Sequence, residues 1–276
     1  ELVRQEIANG TDGILLAAMD SDTMLWDLQI EDTQIPVITI ESGVDNANWE
    51  YISADNKMMG QMLAKALLQD FAEEKKIQVV VIDEYMNRSS VRDRFQGFCE
   101  TMGNFAEILV IKREDTKRDL ASYIENSLKN ITADVVVAFS KEPLEILCEM
   151  PIELLNEIKI YGIGNTDSIV AALDKGKIEK LVFQNEFNIG YLSVEAILNK
   201  TKGMKKEPEE IDIYCVGKEN GSYEDMFQVD QIKFLEAMAD ADKSIMDFFG
   251  ENITFINVMT RMSIDCDCNS NPTPPK

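Results

Sequence analysis

The chain has 276 residues, 45% of them hydrophobic, enough for two ordinary domains with buried cores. Asp and Glu number 50 against 27 Lys and Arg, a formal charge of -23 with no gathered basic face, so nucleic acid and anionic membrane surfaces are poor partners. Histidine is absent, which removes the commonest general base and metal ligand and every Ser-His or Cys-His pairing; enzymes can use carboxylates alone, so the expectation of no enzyme and no cofactor rests here on lowered odds and not on exclusion.

In chain order, Glu1 to Asn9 reads as the end of a helix, and GILLAA after Thr11 reads as a strand. The cluster Asp20, Ser21, Asp22 offers N-cap candidates for an amphipathic segment through Leu25 and Leu28, with Trp26 on its apolar stripe. Ile35 to Ile40 is a second buried strand, opened by Pro36 where no ladder donor is needed, so the unit is βαβ with parallel strands. A polar stretch follows, with a short extended piece at Tyr51 to Ser53 that reads as a crossing segment and with Trp49 placed either to stack on a ligand or to pack. From Asn56 a helix carries Met59, Leu63, Ala66, Leu67 and Phe71 at spacings of three and four, a stripe that belongs against a sheet.

Ile77 to Ile82 is a continuous β-branched run and so a central parallel strand. It ends in the corner DEYMNRSS before a helix from Val91 to Met102, and Arg88, Arg92 and Arg94 crowd the start of that helix. Arginine there opposes the macrodipole, which calls either for a hydroxyl-rich or anionic ligand or for a salt bridge to Asp83, Glu84 or Asp93. Strand Ile108 to Ile111, a helix from Arg118 to Lys129 and strand Val135 to Phe139 follow; the last ends in SKEP, which brings Lys141 to a carboxyl end. Glu145 to Leu155 is helical in pattern but broken by Pro151.

Lys159 to Ala196 reads strand, polar corner, helix, strand, polar corner, helix. Ligands of open α/β sheets collect beyond such carboxyl ends, where the corners offer Asn165, Thr166 and Asp167, then Gln184, Asn185 and Glu186. Thr166, Asp167 and Glu186 suit turns and caps, whereas Gln184 closes an apolar run where no cap is yet needed. A helix from Gly190 to Lys200, a lysine-rich solvated loop and strand IDIYCVG complete this part. Cys99, Cys148 and Cys215 lie in apolar stretches and read as buried small hydrophobes, and no apolar run approaches the length needed for direct membrane insertion.

The series TDGILLAAMDS, IPVITIES, ISADNKMMG, VRDRFQGF, YGIGNTDS, LDKGKIEKLVFQNEFNIGY and VGKEN resembles the sugar-type periplasmic binding proteins, including the ligand domains of the lactose-repressor family, over residues 1–223. The resemblance implies an α/β fold of two doubly wound parallel-sheet lobes, joined by three crossings near 53–56, 184–186 and 218–222. One lobe would be residues 54–184; the other, an N-terminal lobe, would combine 1–53 with 187–222. That lobe is expected to be incomplete, because the first strand, helix and second strand of the family have no counterpart before Glu1. By motif, Arg92 and Gln184 match the family's ligand residues. Glu41 and Ser42 stand where pentose and hexose binders carry Asp-Arg, and Lys141 and Asn165 stand near where they often carry Asn and Asp. In such a cleft Arg92 is a planar fork for hydroxyls or a carboxylate, Glu41 an acceptor, and Asn165 and Gln184 both donors and acceptors. The implied function is capture of a sugar or related polar small molecule for ABC transport or chemosensing, with an ABC permease or membrane sensor as partner and an extracytoplasmic location. The alternative is the ligand-sensing domain of a transcriptional regulator.

Residues 223–276 form a separate appendage in pattern: an amphipathic helix from Gln231 to Phe249, a strand from Ile253 to Val258, then MSIDCDCNSNPTPPK. This tail resembles a fragment of domain-of-unknown-function 362, which carries a CDC motif after a strand. Cys266, Asp267 and Cys268 are metal-ligand candidates, although structural zinc and iron–sulfur sites need further ligands; a metal or iron–sulfur redox fragment is the second alternative.

Overall fold

In the computed structural model, which describes residues 2–21, 35–45, 49–71, 76–112, 119–155, 158–205 and 209–217, the apolar runs form strands and the three-and-four stripes form helices. In chain order these are α1 (Leu2–Ala8), β1 (Ile14–Leu16), β2 (Val37–Ile40), β3 (Glu50–Ile52), α2 (Asn56–Gln69), β4 (Ile77–Asp83), α3 (Ser89–Met102), β5 (Ala106–Lys112) and α4 (Leu120–Leu128). They continue as β6 (Val135–Ala138), α5 (Lys141–Glu149), α6 (Ile152–Leu155), β7 (Lys159–Ile163), α7 (Asp167–Asp174), β8 (Lys180–Gln184), α8 (Glu186–Thr201) and β9 (Ile213–Gly217). The chain divides into two units, Glu1–Ala241 and Asp242–Lys276, and every described residue belongs to the first. The expected appendage 223–276 with Cys266, Asp267 and Cys268, the segment around Trp26 and the crossing expected at 218–222 lie outside the described residues.

Strands β1, β2 and β3 make a three-stranded parallel sheet, and the other six pair in the order β5-β4-β6-β7-β8-β9. All pairs of the larger sheet are parallel except β8 with β9, which run antiparallel. Its central strands are buried on both faces. Val79, Val81, Val135, Val137, Tyr161, Ile163 and Val182 join the core that holds Met59, Leu63 and Phe98 of α2 and α3. Val80, Ile82, Val136, Ala138, Ile160, Leu181 and Phe183 join Ile124, Leu144, Leu147 and Ile169 of α4, α5 and α7 on the opposite face. That alternation is the period-two geometry of a strand, and it explains why these strands read as continuous apolar runs.

The chain leaves β3 for α2 through residues 53–55, and leaves β8 for α8 at Asn185. Helix α8 then lies against β1, β2 and β3, tied there by Lys200 to Glu50 at 3.1 Å. The return to the larger sheet falls within residues 202–212, because β9 pairs with β8 and Asn185 N–H donates to Asp212 O at 3.0 Å. This corrects the expected assignment of 187–222 to the three-stranded side: residues 213–217 belong to the six-stranded sheet. Too little chain separates α8 from β9 for another crossover helix, so the strand returns antiparallel on the open edge of β8.

Two helices begin earlier than their patterns suggest. Helix α5 starts at Lys141 because Pro143 falls in its first turn, where a missing N–H costs nothing, and Pro151 separates it from α6. Helix α8 starts at Glu186 because the Asn185 side chain accepts from Asn188 N–H at 2.9 Å and caps it.

Candidate functional site

The carboxyl ends of β2 and of β4, β6, β7 and β8 carry the polar corners, and the β2 corner is bonded directly to the corner after β4. Ser42 Oγ is 2.6 Å from Ser90 Oγ, Gly43 N–H donates to Ser89 Oγ at 2.8 Å, and Ser21 Oγ donates to Gly43 O at 2.6 Å. Ser21 Oγ also accepts from Ser89 N–H at 2.8 Å, so a residue beyond β1 caps the first turn of α3. Arg92 spans the same seam, with Nη2 at 2.9 and 2.8 Å from the two oxygens of Asp45. Both side chains are more than one third exposed. The carboxylate described against Arg92 thus comes from the other sheet.

Arg94 is the buried member of the trio, at 4% exposure. Its Nε donates to Asn56 Oδ1 at 2.7 Å, its Nη1 to Phe139 O at 3.1 Å and its Nη2 to Glu41 Oε1 at 3.2 Å. One guanidinium therefore joins the first crossing, the end of β6 and the end of β2. The Asn56 amide also donates to Ser53 Oγ at 2.8 Å and to the Tyr51 hydroxyl at 3.0 Å. Glu41 has φ 61 and Tyr85 has φ 67, left-handed values that cost a non-glycine residue of order 1–3 kcal/mol. Both residues closely follow strand ends at this rim.

Lys141, the first residue of α5, forms an ion pair with Glu186 at the start of α8. Tyr85 donates its hydroxyl to Glu142; burial first, and then that carboxylate, push the Tyr85 pKa up to about 12. Glu145 accepts from Thr166 and Ser168 at 2.7 and 3.1 Å.

Among the described residues, three buried side-chain atoms have no hydrogen-bond partner: Arg88 Nε, Ser140 Oγ and Gln184 Oε1. Gln184 is 5% exposed and Ser140 9%. An unmet buried polar atom costs about 1–3 kcal/mol, so three at one rim are a feature that needs a reason. Arg88 follows β4, Ser140 follows β6 and Gln184 ends β8; in the sheet order β4-β6-β7-β8 only β7 intervenes, and its end supplies Gly164 and the half-buried Asn165. Ser140 is the N-cap residue of α5, yet its hydroxyl makes no cap hydrogen bond.

The six residues expected to bind ligand thus stand on this rim in three groups. Ser42 and Arg92 engage partners across the seam, Glu41 and Lys141 engage ionic partners, and Asn165 and Gln184 terminate neighbouring strands β7 and β8. Trp49 packs against the core of the three-stranded sheet. Ser140, Ser89, Ser90 and Asp45 escaped the sequence reading, and Ser21 entered it only as a cap for the segment that follows it. The rule that singled out Gln184, a polar residue closing an apolar run before the helix starts, also fits Ser140 and could have found it. Among the described residues no group of three or more Cys, Asp or Glu side chains could share a metal ion, and no helix is long and apolar enough to cross a membrane.

Residues 1–205 match the family described as periplasmic binding protein domain. No curated relative matches by sequence. Among solved structures, a carbohydrate transporter solute-binding protein from Agrobacterium radiobacter in complex with D-arabinose is similar at 20% identity, TM-score 0.73, over 82% of this chain and 81% of that one. An ABC transporter solute-binding protein from Agrobacterium vitis bound with α-D-tagatopyranose gives 20% identity and TM-score 0.70, over 82% of each chain. GanP, a glucose-galactose binding protein from Geobacillus stearothermophilus, gives 18% identity and TM-score 0.69 over 79% of this chain and 81% of that one.

Proposed function

The chain belongs to the family of periplasmic binding protein domains, and from that premise we propose that it captures a sugar or related polar small molecule between its two sheets and releases it unchanged. The observation that carries this is Gln184 Oε1, buried and without a partner at the carboxyl end of β8. A ligand hydroxyl meeting it would remove a penalty of about 1–3 kcal/mol that the fold otherwise bears. Asn165, at the end of the adjoining strand, is the second contact. Ser42 and Arg92 act one step back by holding the rims together, while Glu41 and Lys141 set the charge around the ligand. The bound form is read outside the cytoplasm by an ABC permease or a membrane sensor, in keeping with the sugars named for the structural neighbours.

The test is thermal stabilisation across a panel of pentoses, hexoses and their derivatives. One ligand class is expected to raise the melting temperature saturably, and Gln184→Ala to remove the effect while leaving the unliganded protein folded. Flat curves across the panel with folded protein would refute capture of a sugar-like solute.

A further inference from the structure

Resting on that reading, we infer that the ligand is a hydroxylated carboxylate, an aldonate or uronate, with its acid group seated between Arg88 and the start of α5 and a hydroxyl on Gln184. The reason lies in which rim groups are already met. Glu41 is engaged by Arg94, Asp45 by Arg92, Glu186 by Lys141, Glu142 by the Tyr85 hydroxyl, and Glu145 by Thr166 and Ser168. A neutral sugar presents mainly hydroxyl donors, and its strongest acceptors would be carboxylates. Here the five named carboxylates are engaged by the protein itself.

The unmet groups have the opposite bias. The Arg88 side chain makes soft contacts among the described residues: Cζ lies 4.0 Å over the Tyr85 ring and Nη2 is 3.2 Å from Met19 Sδ. Among the described residues no carboxylate pairs with it, and its Nε is buried. A partly buried cation with no anion among the described residues is costly, and a ligand carboxylate is the group that offsets the cost. Ser140 adds a hydroxyl beside the uncapped amino end of α5, a nine-residue helix whose dipole favours negative charge there. Ser140 is itself buried and unpartnered, so the helix end is not the only indication of a ligand.

Gln184 Oε1, a lone acceptor, supplies the other end and requires a hydroxyl or amine donor. Strands β6 and β8 are two sheet spacings apart, about 10 Å at about 4.8 Å per spacing. Hydrogen bonds of about 3 Å at each end leave room between them for a single sugar-sized molecule. A carboxylate at one end and hydroxyls at the other meet all three orphaned atoms at once.

The experiment is calorimetric titration of the full chain with gluconate and galacturonate, and with glucose and galactose as their neutral counterparts, on the wild type, Arg88→Gln, Arg88→Lys and Ser140→Ala. At least one acid is expected to bind tighter than its neutral counterpart by about 10-fold or more. Arg88→Gln should weaken the acid by about 10- to 100-fold, the worth of a hydrogen bond between charged groups, with little change for the neutral sugar. Arg88→Lys, which keeps the charge, should retain part of the preference, and melting of the unliganded variants checks their folding. Equal or tighter binding of the neutral sugars by the wild type overturns the inference while sustaining sugar capture, whatever the variants do. Acid binding that is indifferent to both Arg88→Gln and Ser140→Ala overturns the placement of the acid group. No binding of any of the four refutes this inference, and the wider panel then decides separately whether a sugar-like solute is captured at all.

Discussion

Arg88, Arg92 and Arg94 are three arginines within seven residues, and the structure gives each a different task. Arg94 is buried among oxygens of three segments, Arg92 lies half-exposed on Asp45, and Arg88 stands over an aromatic ring with one nitrogen unmet. Their stability effects should separate accordingly. Arg94→Ala strands Asn56 Oδ1 and Phe139 O, at about 1–3 kcal/mol for each unmet buried acceptor, so the urea midpoint should fall by the equivalent of about 3 kcal/mol. Arg92→Ala removes an exposed pair and should cost less than about 1 kcal/mol in the same measurement. Equal losses for the two would contradict the burial that distinguishes them. The sequence displayed all three arginines with the same local charge neighbours, which is why it could not rank them: the carboxylates described against Arg92 and Arg94 come from 47 and 53 residues away.

Helices α2 and α3 pack backbone to backbone. A Cβ added at Gly60 would lie 1.9 Å from Arg94 O, and one added at Gly97 would lie 2.1 Å from Lys57 O. Each glycine faces the main chain of the other helix, and no side-chain rotation can relieve such an overlap, since the atoms met are main-chain. Gly97→Ala should therefore push the helices apart and destabilise by at least the 1–3 kcal/mol typical of overpacking. The displacement would also shift Arg94, which α3 carries into the rim. Denaturant unfolding reads the first effect; a Gly97→Ala midpoint within error of wild type would show that the helices slide without cost. At this scale much was legible. The stripe on α2 and the β-branched run of β4 announced their elements, because amphipathic spacing is a local property. The helix contact was not, because a glycine in a helical pattern does not say which backbone it faces.

Across the whole molecule, a charge of -23 repels itself, while the seam between the sheets is held by hydroxyls and a few ion pairs. Raising ionic strength from about 0.01 M to about 0.15 M shortens the Debye length from about 30 Å to about 8 Å. The melting temperature should therefore rise, since screening relieves the net repulsion more than it weakens the exposed Arg92 pair. A fall would mean that attractive pairs outweigh the net charge. Parallel layers, the βα alternation and the family likeness all followed from the sequence, since apolar period, turn chemistry and motif order are written along the chain. The three-dimensional arrangement decided the rest. It put β9 on the six-stranded sheet, sent Arg92 to Asp45, and left Arg88 Nε, Ser140 Oγ and Gln184 Oε1 unmet at neighbouring strand ends. Strand order and the partner of a long side chain depend on contacts between segments far apart in sequence, and those exist only once the sheets have assembled.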